Sequence, residues 1–256
     1  MSIFNKVFAS VGIGSAQVDT KLEKDVFVPG EEIEGLIEVR GGKTEQEIDG
    51  IYLSLYTSYI KEQDDKKYTS TVVLDRFRIT ELFTIKPQEI KSIPFSFTLP
   101  LDAPLTLGRT KIWVTTGLDI KNAIDPTDKD YIRVIPNQLM SAVFTALEGI
   151  GFRLREADCK EAKRGMRRRL PTIQEFEFVP YAGAFRGKLD ELELVFSASD
   201  KDHIELFLQV DRKARGLGGF LSEALETDET NVRLTVDTSD IPVMKQKLES
   251  VIKKYS

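Results

Sequence analysis

The sequence predicts a mainly β protein built from antiparallel β-sandwiches, and three observations carry this prediction. Apolar and polar residues alternate in short runs, clearest over residues 32–39 and 93–99, which is the pattern of strands buried on one face. Turn-forming pairs such as Pro29-Gly30 separate these runs, because proline presets one central turn position and glycine accepts the positive φ of the next. Apolar residues at helical spacing occupy only short segments. Regular short strands with such punctuation are typical of a sandwich.

The predicted strands fall into two successive groups. The first group comprises residues 17–22, 32–39, 47–59, 70–84, 92–99, 110–116 and 131–135. The second group comprises residues 151–157, 173–179, 191–198, 203–210 and 231–236. We therefore expect two sandwich domains, at residues 1–136 and 151–256, joined by a helix at residues 137–150. Trp113, mid-strand between Ile112 and Val114, is expected in the core or between the domains.

Short helices are predicted at the link and at both ends. Residues 137–149 carry apolar side chains at helical spacing, with an asparagine before them and glycines after them. Residues 243–252 follow Pro242 and show the same spacing. The N-terminal helix has an apolar stripe made of Ile3, Phe4, Val7 and Phe8.

The N-terminal stripe has two readings. It either packs against a sandwich or remains exposed as a surface for dimerisation or membrane contact. Membrane contact is the weaker reading, because Lys6 is the only cation in that segment. The long predicted strands 47–59 and 70–84 also leave an edge that can pair with another chain. We expect a homodimer or a higher oligomer.

Composition bounds the classes of function. The chain has 256 residues with a net charge of −5, which argues against general binding of nucleic acid. No apolar run approaches the roughly 20 residues that span a bilayer, and the N-terminal residues lack the pattern of a signal peptide. The single cysteine, Cys159, fits a reducing compartment. A cytoplasmic location is expected.

Signals of catalysis or of metal binding are poor. The chain has one histidine, His203, and neither a phosphate-binding loop nor a nucleophile elbow. The three aspartates within residues 125–130 lie in a turn that lacks the glycine and the terminal glutamate of a calcium loop. We expect no enzymatic activity, no catalytic or metal-binding residues and no cofactor.

The densest positive charge in the sequence is the basic cluster, which consists of Lys163, Arg164, Arg167, Arg168 and Arg169. Arginine binds carboxylate and phosphate oxygens in pairs, so the cluster is a candidate surface for an acidic protein, a phosphorylated peptide or a lipid headgroup. The other reading is a solvated charged face, which is what most charge runs are.

An ordered set of segments resembles a known family. The segments are residues 28–39, 93–104, 116–120, 125–136, 151–156 and 208–217. Together they resemble the bacterial sporulation-control family of the arrestin-like clan. The resemblance implies two arrestin-like domains and a regulatory role in endospore formation without known enzymatic activity. The leading hypothesis is a cytoplasmic protein that acts by binding other proteins, and the alternative is a sandwich that binds a small molecule or lipid.

Overall fold

The computed structural model describes residues 15–63, 66–120, 125–162, 168–198, 200, 202–212 and 229–256. They form two compact units. The first takes its described residues from Met1–Ser58, Thr71–Ala103 and Lys111–Val134, and the second from Tyr59–Ser70, Pro104–Thr110 and Ile135–Ser256. Most described residues lie in strands, so the prediction of a mainly β protein is confirmed.

The smaller sheet of the first unit is antiparallel. Its strands are β1 (Gln17–Leu22), β3 (Glu32–Arg40) and β7 (Ile90–Thr98), with β3 in the middle. Alternate residues of β3 are buried, as the sequence pattern requires. Gly35 occupies one of these inward positions. A larger residue does not fit there, because an added Cβ would lie 2.4 Å from the Lys21 carbonyl oxygen.

The other sheet of the first unit is centred on β4 (Gln46–Gln63), whose residues from Tyr59 onward belong to the second unit. Strands β5 (Lys66–Thr80) and β6 (Phe83–Ile85) pair with one edge of β4, and β8 (Ile112–Ile120) pairs with the other. Next to β8 lie β9 (Thr127–Val134) and then the short parallel strand β2 (Val26–Phe27). The sequence predicted one strand over 70–84, where the structure has β5 and β6.

The core of the first unit lies between its two sheets. Ile33 and Ile37 of β3, Leu53 and Leu55 of β4, and Val114 of β8 are fully buried. Complete burial of one such side chain contributes about 1.5–3 kcal/mol, so these alternating positions supply much of the stability of this unit.

The described sheet of the second unit has two helices packed against it, and the end of β4 joins this sheet through the parallel pair Ile60 and Lys160. Its antiparallel strands follow chain order: β10 (Phe152–Glu161), β11 (Thr172–Pro180), β12 (Leu189–Ala198), β13 (His203–Arg212) and β14 (Glu229–Asp237). The helices are α1 (Gln138–Ile150) and α2 (Met244–Tyr255). The Phe144 ring of α1 lies 5.2 Å from Phe176 and 5.4 Å from Phe196, centroid to centroid, and thereby fixes the helix to the sheet.

Local capping marks both ends of α1 and the turn that precedes α2. Asn137 caps α1 by accepting a hydrogen bond from the Met140 backbone N–H at 2.9 Å. Gly151 ends α1 with a φ of 111°, a conformation that favours glycine. The 3₁₀ turn Thr238–Val243 leads into α2 and is closed by a reciprocal capping box between Asp237 and Asp240. Neither described helix is long and apolar enough to cross a membrane.

The two compact units differ from the predicted domains in their membership. Helix α1, predicted as a separate link, belongs to the second unit, and so do residues 59–70 and 104–110. The described strands β10–β14 form one sheet covered by helices, so a sandwich at 151–256 remains a prediction. The N-terminal stripe of Ile3, Phe4, Val7 and Phe8 lies outside the described residues.

Candidate interaction surface

Trp113 lies on the outer face of β8, so it does not belong to the core between the two sheets, and its other expected place, between the domains, stays a prediction. Its neighbours Ile112 and Val114 are fully buried, and successive side chains of a strand point to opposite faces. Trp113 itself is half-buried. The alternation of buried and outward side chains was not visible in the sequence. A tryptophan between two aliphatic residues gives a continuous apolar run, which is typical of a strand buried on both faces.

Two tyrosines flank Trp113 across the sheet. The strand register pairs Trp113 with Tyr56 of β4 on one side and with Tyr131 of β9 on the other. The Tyr56 and Trp113 rings stack with centroids 5.7 Å apart and an interplanar angle of 10°. The Trp113 and Tyr131 rings lie 5.9 Å apart and are tilted by 53°. Tyr131 is 57% exposed, so the row reaches the surface.

The ammonium group of Lys129 lies over two of these rings. Its Nζ is 4.1 Å from the Trp113 ring centroid and 4.8 Å from that of Tyr131, both within range of a cation–π contact. Hydrogen bonding to Lys129, followed by the charges of Lys129 and Lys111, lowers the pKa of Tyr131. The lysine and the rings therefore form one connected cluster.

Two further cations adjoin the aromatic row. Lys111 shares the face of Trp113, and its backbone N–H bonds to the Ser58 hydroxyl at 3.3 Å. Arg133 is the next outward residue of β9 after Tyr131. We name these six residues the aromatic–basic face: Tyr56, Lys111, Trp113, Lys129, Tyr131 and Arg133.

In the described part of these strands, no carboxylate lies among the six residues of this face. Its cross-strand rows also contain Ser54, Ser58 and Thr115, with Val26 of β2 beside Arg133 and with Arg76 of β5 bonded to the Ser54 hydroxyl. Among the described residues, no Asp or Glu forms an ion pair with Lys111, Lys129 or Arg133. The face therefore carries three positive charges on a chain whose net charge is −5.

The basic cluster is only partly described. Lys163, Arg164 and Arg167 lie outside the described residues, and Arg169 has a partner of its own. The Arg168 guanidinium pairs with the Glu205 carboxylate at 2.8 Å and lies over the Phe207 ring. This described arginine already has an acidic partner within the chain.

Glu205 is one of several glutamates on the sheet of the second unit. The side of the sheet opposite the helices carries Glu175, Glu177, Glu191, Glu193 and Glu205. Arg155 pairs with two of these glutamates and Lys160 with a third. The sequence could not show this, because the glutamates are distributed over three strands that only the register brings together. The role of the basic cluster in binding remains a prediction.

The two side chains whose chemistry best suits catalysis, Cys159 and His203, are poorly placed for it. Burial raises the pKa of the Cys159 thiol to about 11, which disfavours the reactive thiolate. The His203 side chain is 54% exposed, and the hydrogen bond and charge of Asp200 raise its pKa. Within the described part of the chain, no group of three or more His, Cys, Asp or Glu side chains is arranged to hold a metal ion.

The aspartates of the 125–130 segment serve the fold instead. Asp125 accepts a hydrogen bond from the Ile120 backbone N–H at 2.9 Å, and Asp128 accepts one from the Thr20 N–H at 2.7 Å. Asp130 faces inward on β9, and its Oδ2 is buried without a hydrogen-bond partner among the described residues. Burial, together with the carboxylates of Asp128 and Asp19, raises the pKa of Asp130 to about 6.

A shallow cleft of about 400 Å³ lies at one end of the first unit. It is lined by Gln17, Val18, Asp19, Glu38, Arg40, Pro126 and Thr127. Sites for small apolar ligands are mostly lined by hydrophobic and aromatic side chains. This open and largely polar cleft does not fit that description.

Comparisons with known proteins agree with one another. The model of the family described as SpoOM protein matches residues 4–214. The chain is 46% identical over 259 residues to the sporulation-control protein spo0M of Bacillus subtilis (strain 168), covering 100% of both chains. It is also similar to the crystal structure of Spo0M from Bacillus subtilis, with 44% identity and a TM-score of 0.85, over 95% of this chain and 100% of that one.

The family match extends over most of the chain, and the relative is similar in sequence along its full length as well as in structure. The resemblance seen in the sequence is therefore confirmed. The chain belongs to the SpoOM family of sporulation-control proteins.

Proposed function

We propose that this protein is a non-enzymatic regulator of endospore formation that acts in the cytoplasm by binding other proteins. Membership of a sporulation-control family supports the regulatory role. The observation that carries the binding mechanism is the aromatic–basic face, because Tyr, Trp and Arg are enriched at protein interfaces and Tyr131 of this face is exposed.

The fold we propose for this role is a pair of arrestin-like sandwiches. The two facing sheets of the first unit support this architecture, and so does the division of the chain into two units. A scaffold of this kind presents loops and sheet faces to partners without needing a catalytic pocket. Binding of a small molecule or a lipid is less well supported, because the described cleft is polar and open.

Complementation tests this function and compares the two candidate surfaces. The chain would replace its relative in a Bacillus subtilis strain from which that relative has been deleted. Three forms would be compared: the wild type, Trp113→Ala combined with Tyr131→Ala, and the basic cluster with all five cations replaced by glutamine. Spore yield and the proteins captured with the chain would be measured, with the melting temperature of each form as the control for folding.

We expect the wild type to restore spore yield and the substitutions on the aromatic–basic face to reduce both yield and capture. Loss of capture only in the glutamine form would shift the binding role to the basic cluster. If neither form alters capture or yield while both remain folded, binding through either surface is wrong.

A further inference from the structure

We infer that the aromatic–basic face is a docking site for an acidic segment of a partner protein, in which carboxylates are interleaved with apolar side chains. This inference rests on the proposed function and names the chemistry of the partner. It goes beyond the choice of surface, because the charges and the ring geometry together restrict which molecules can bind there.

The charge distribution calls for negative charge from outside the chain. Lys111, Lys129 and Arg133 lie on the outer side of the sheet, and the described side chains beside them in their cross-strand rows are aromatic, hydroxyl or, at Val26 next to Arg133, aliphatic. The aspartates nearest in sequence, Asp128 and Asp130, face the interior of the first unit because they alternate with Lys129 along β9. A partner rich in Asp and Glu complements this face, whereas a basic partner is repelled by it.

The Lys129 ammonium group is held by rings rather than by a carboxylate. A cation–π contact attracts the ammonium group to the ring face but does not neutralise its charge. A carboxylate that reaches Lys129 from a partner adds an ion pair without removing the lysine from the rings. Exclusion of water by the partner strengthens this ion pair, because the effective dielectric constant around it falls. The rings therefore hold the Lys129 ammonium group in a position where it can pair with a carboxylate of the partner.

The rings favour a protein partner over a nucleic acid. The Trp113 ring already stacks with Tyr56 and lies under the Lys129 ammonium group. These contacts occupy ring surface on which a nucleobase would stack, and recognition of single strands depends on open ring faces. The ring edges and the exposed Tyr131 remain available to aliphatic and aromatic side chains, which is the usual role of Tyr and Trp at protein interfaces.

Photo-crosslinking in sporulating cells tests the inference directly. A photoreactive phenylalanine derivative would replace Tyr131 in the complementing chain, and Tyr68 in a control chain. Tyr68 is a matched control because it is 52% exposed and lies on β5, outside the aromatic–basic face. The crosslinked peptides would be identified by mass spectrometry and their net charge compared with that of all peptides in the same cells.

We expect the Tyr131 position to crosslink to peptides of net negative charge that also contain apolar residues. The yield should fall about ten-fold when Lys111→Gln and Lys129→Gln are added, as expected for loss of charge pairs at an interface. Crosslinks to basic peptides, nucleic acid or lipid would overturn the inference, and so would a yield no higher than at Tyr68. If Tyr131 gives no specific crosslinks while the wild type still captures proteins and restores spore yield, this inference fails and the proposed function stands.

Discussion

Arg109 donates two hydrogen bonds to the buried carboxylate of Asp158. Its Nε donates to Oδ1 at 3.2 Å and its Nη2 donates to Oδ2 at 2.5 Å. The Asp158 side chain is only 4% exposed, whereas the Arg109 side chain is 68% exposed. The pair fixes the segment Pro104–Thr110 to β10 within the second unit, and Gln174 adds hydrogen bonds to both backbone groups of Leu105.

Replacement of Arg109 should destabilise the protein far more than replacement of an ordinary surface arginine. Burial raises the pKa of Asp158, but the hydrogen bonds from Arg109 and the neighbouring charges lower it by more. Arg109→Met leaves a buried carboxylate without its partner, so we expect the melting temperature at pH 7 to fall by several degrees. Arg186→Met, at an exposed position of the same unit, is the control and should change it little. Equal effects of the two substitutions would contradict the structural role of Arg109.

Two glycines at the end of α1 should respond in opposite directions to alanine. An added Cβ at Gly149 meets only the flexible Lys245 side chain at 3.5 Å, and alanine favours the helix by up to about 1 kcal/mol over glycine. At Gly151 the φ is 111° and the Cβ would lie 2.4 Å from the Ala182 carbonyl oxygen. Gly149→Ala should therefore raise the free energy of unfolding and Gly151→Ala should lower it. Chemical denaturation measures both, and a change of the same sign in the two variants would refute the described helix end.

Asp130 should make the protein more stable as the pH falls from about 7 to about 4. Its pKa is raised from 3.8 to about 6, so the native state takes up a proton in this range before the unfolded state does. Above pH 6 the ionised carboxylate of Asp130 lowers the free energy of unfolding, and Asp130→Asn removes this destabilising charge. We expect this variant to unfold at higher denaturant concentration than the wild type at pH 7.5 and to show a weaker rise in stability on acidification. Asp25→Asn, at an exposed site, should keep the wild-type pH dependence; an identical pH profile for Asp130→Asn would count against the raised pKa.

Self-association through the edge of β5 is a further expectation. Strand β5 pairs with β4 on one side, and no described strand pairs with its other side. Its central residues 68–74 include neither a charged residue nor a proline, and Val73 is exposed there, so this part of the strand can pair with a second copy. Light scattering should give about twice the monomer mass of 28.9 kDa, and Val73→Lys should shift the mass towards the monomer. A monomer mass for the wild type at all micromolar concentrations would exclude the dimer.

Local sequence patterns were sufficient for most strands but not for the candidate site. The bounds of β1 match those predicted, because its alternation and turns are local. The segment Pro104–Thr110 shows no periodicity, and its attachment depends on Arg109 and Gln174, which are distant from their partners in sequence. Tyr56, Trp113 and Tyr131 likewise lie on three strands, and only the register brings them into one row. A signal was nevertheless present, since each ring alternates with buried residues of its own strand.

Fluorescence of Trp113 tests the central claim most directly, because it is the only tryptophan of the chain and lies within the aromatic–basic face. Purified protein would be titrated with a synthetic peptide in which Glu alternates with Leu and Phe, and with the matched peptide that has Lys in place of Glu. We expect the acidic peptide to shift the emission, to bind more weakly as salt screens the contact, and to lose about ten-fold in affinity for Lys129→Gln but not for the exposed control Lys86→Gln. Equal binding of the two peptides, or unchanged affinity for Lys129→Gln, would contradict the account.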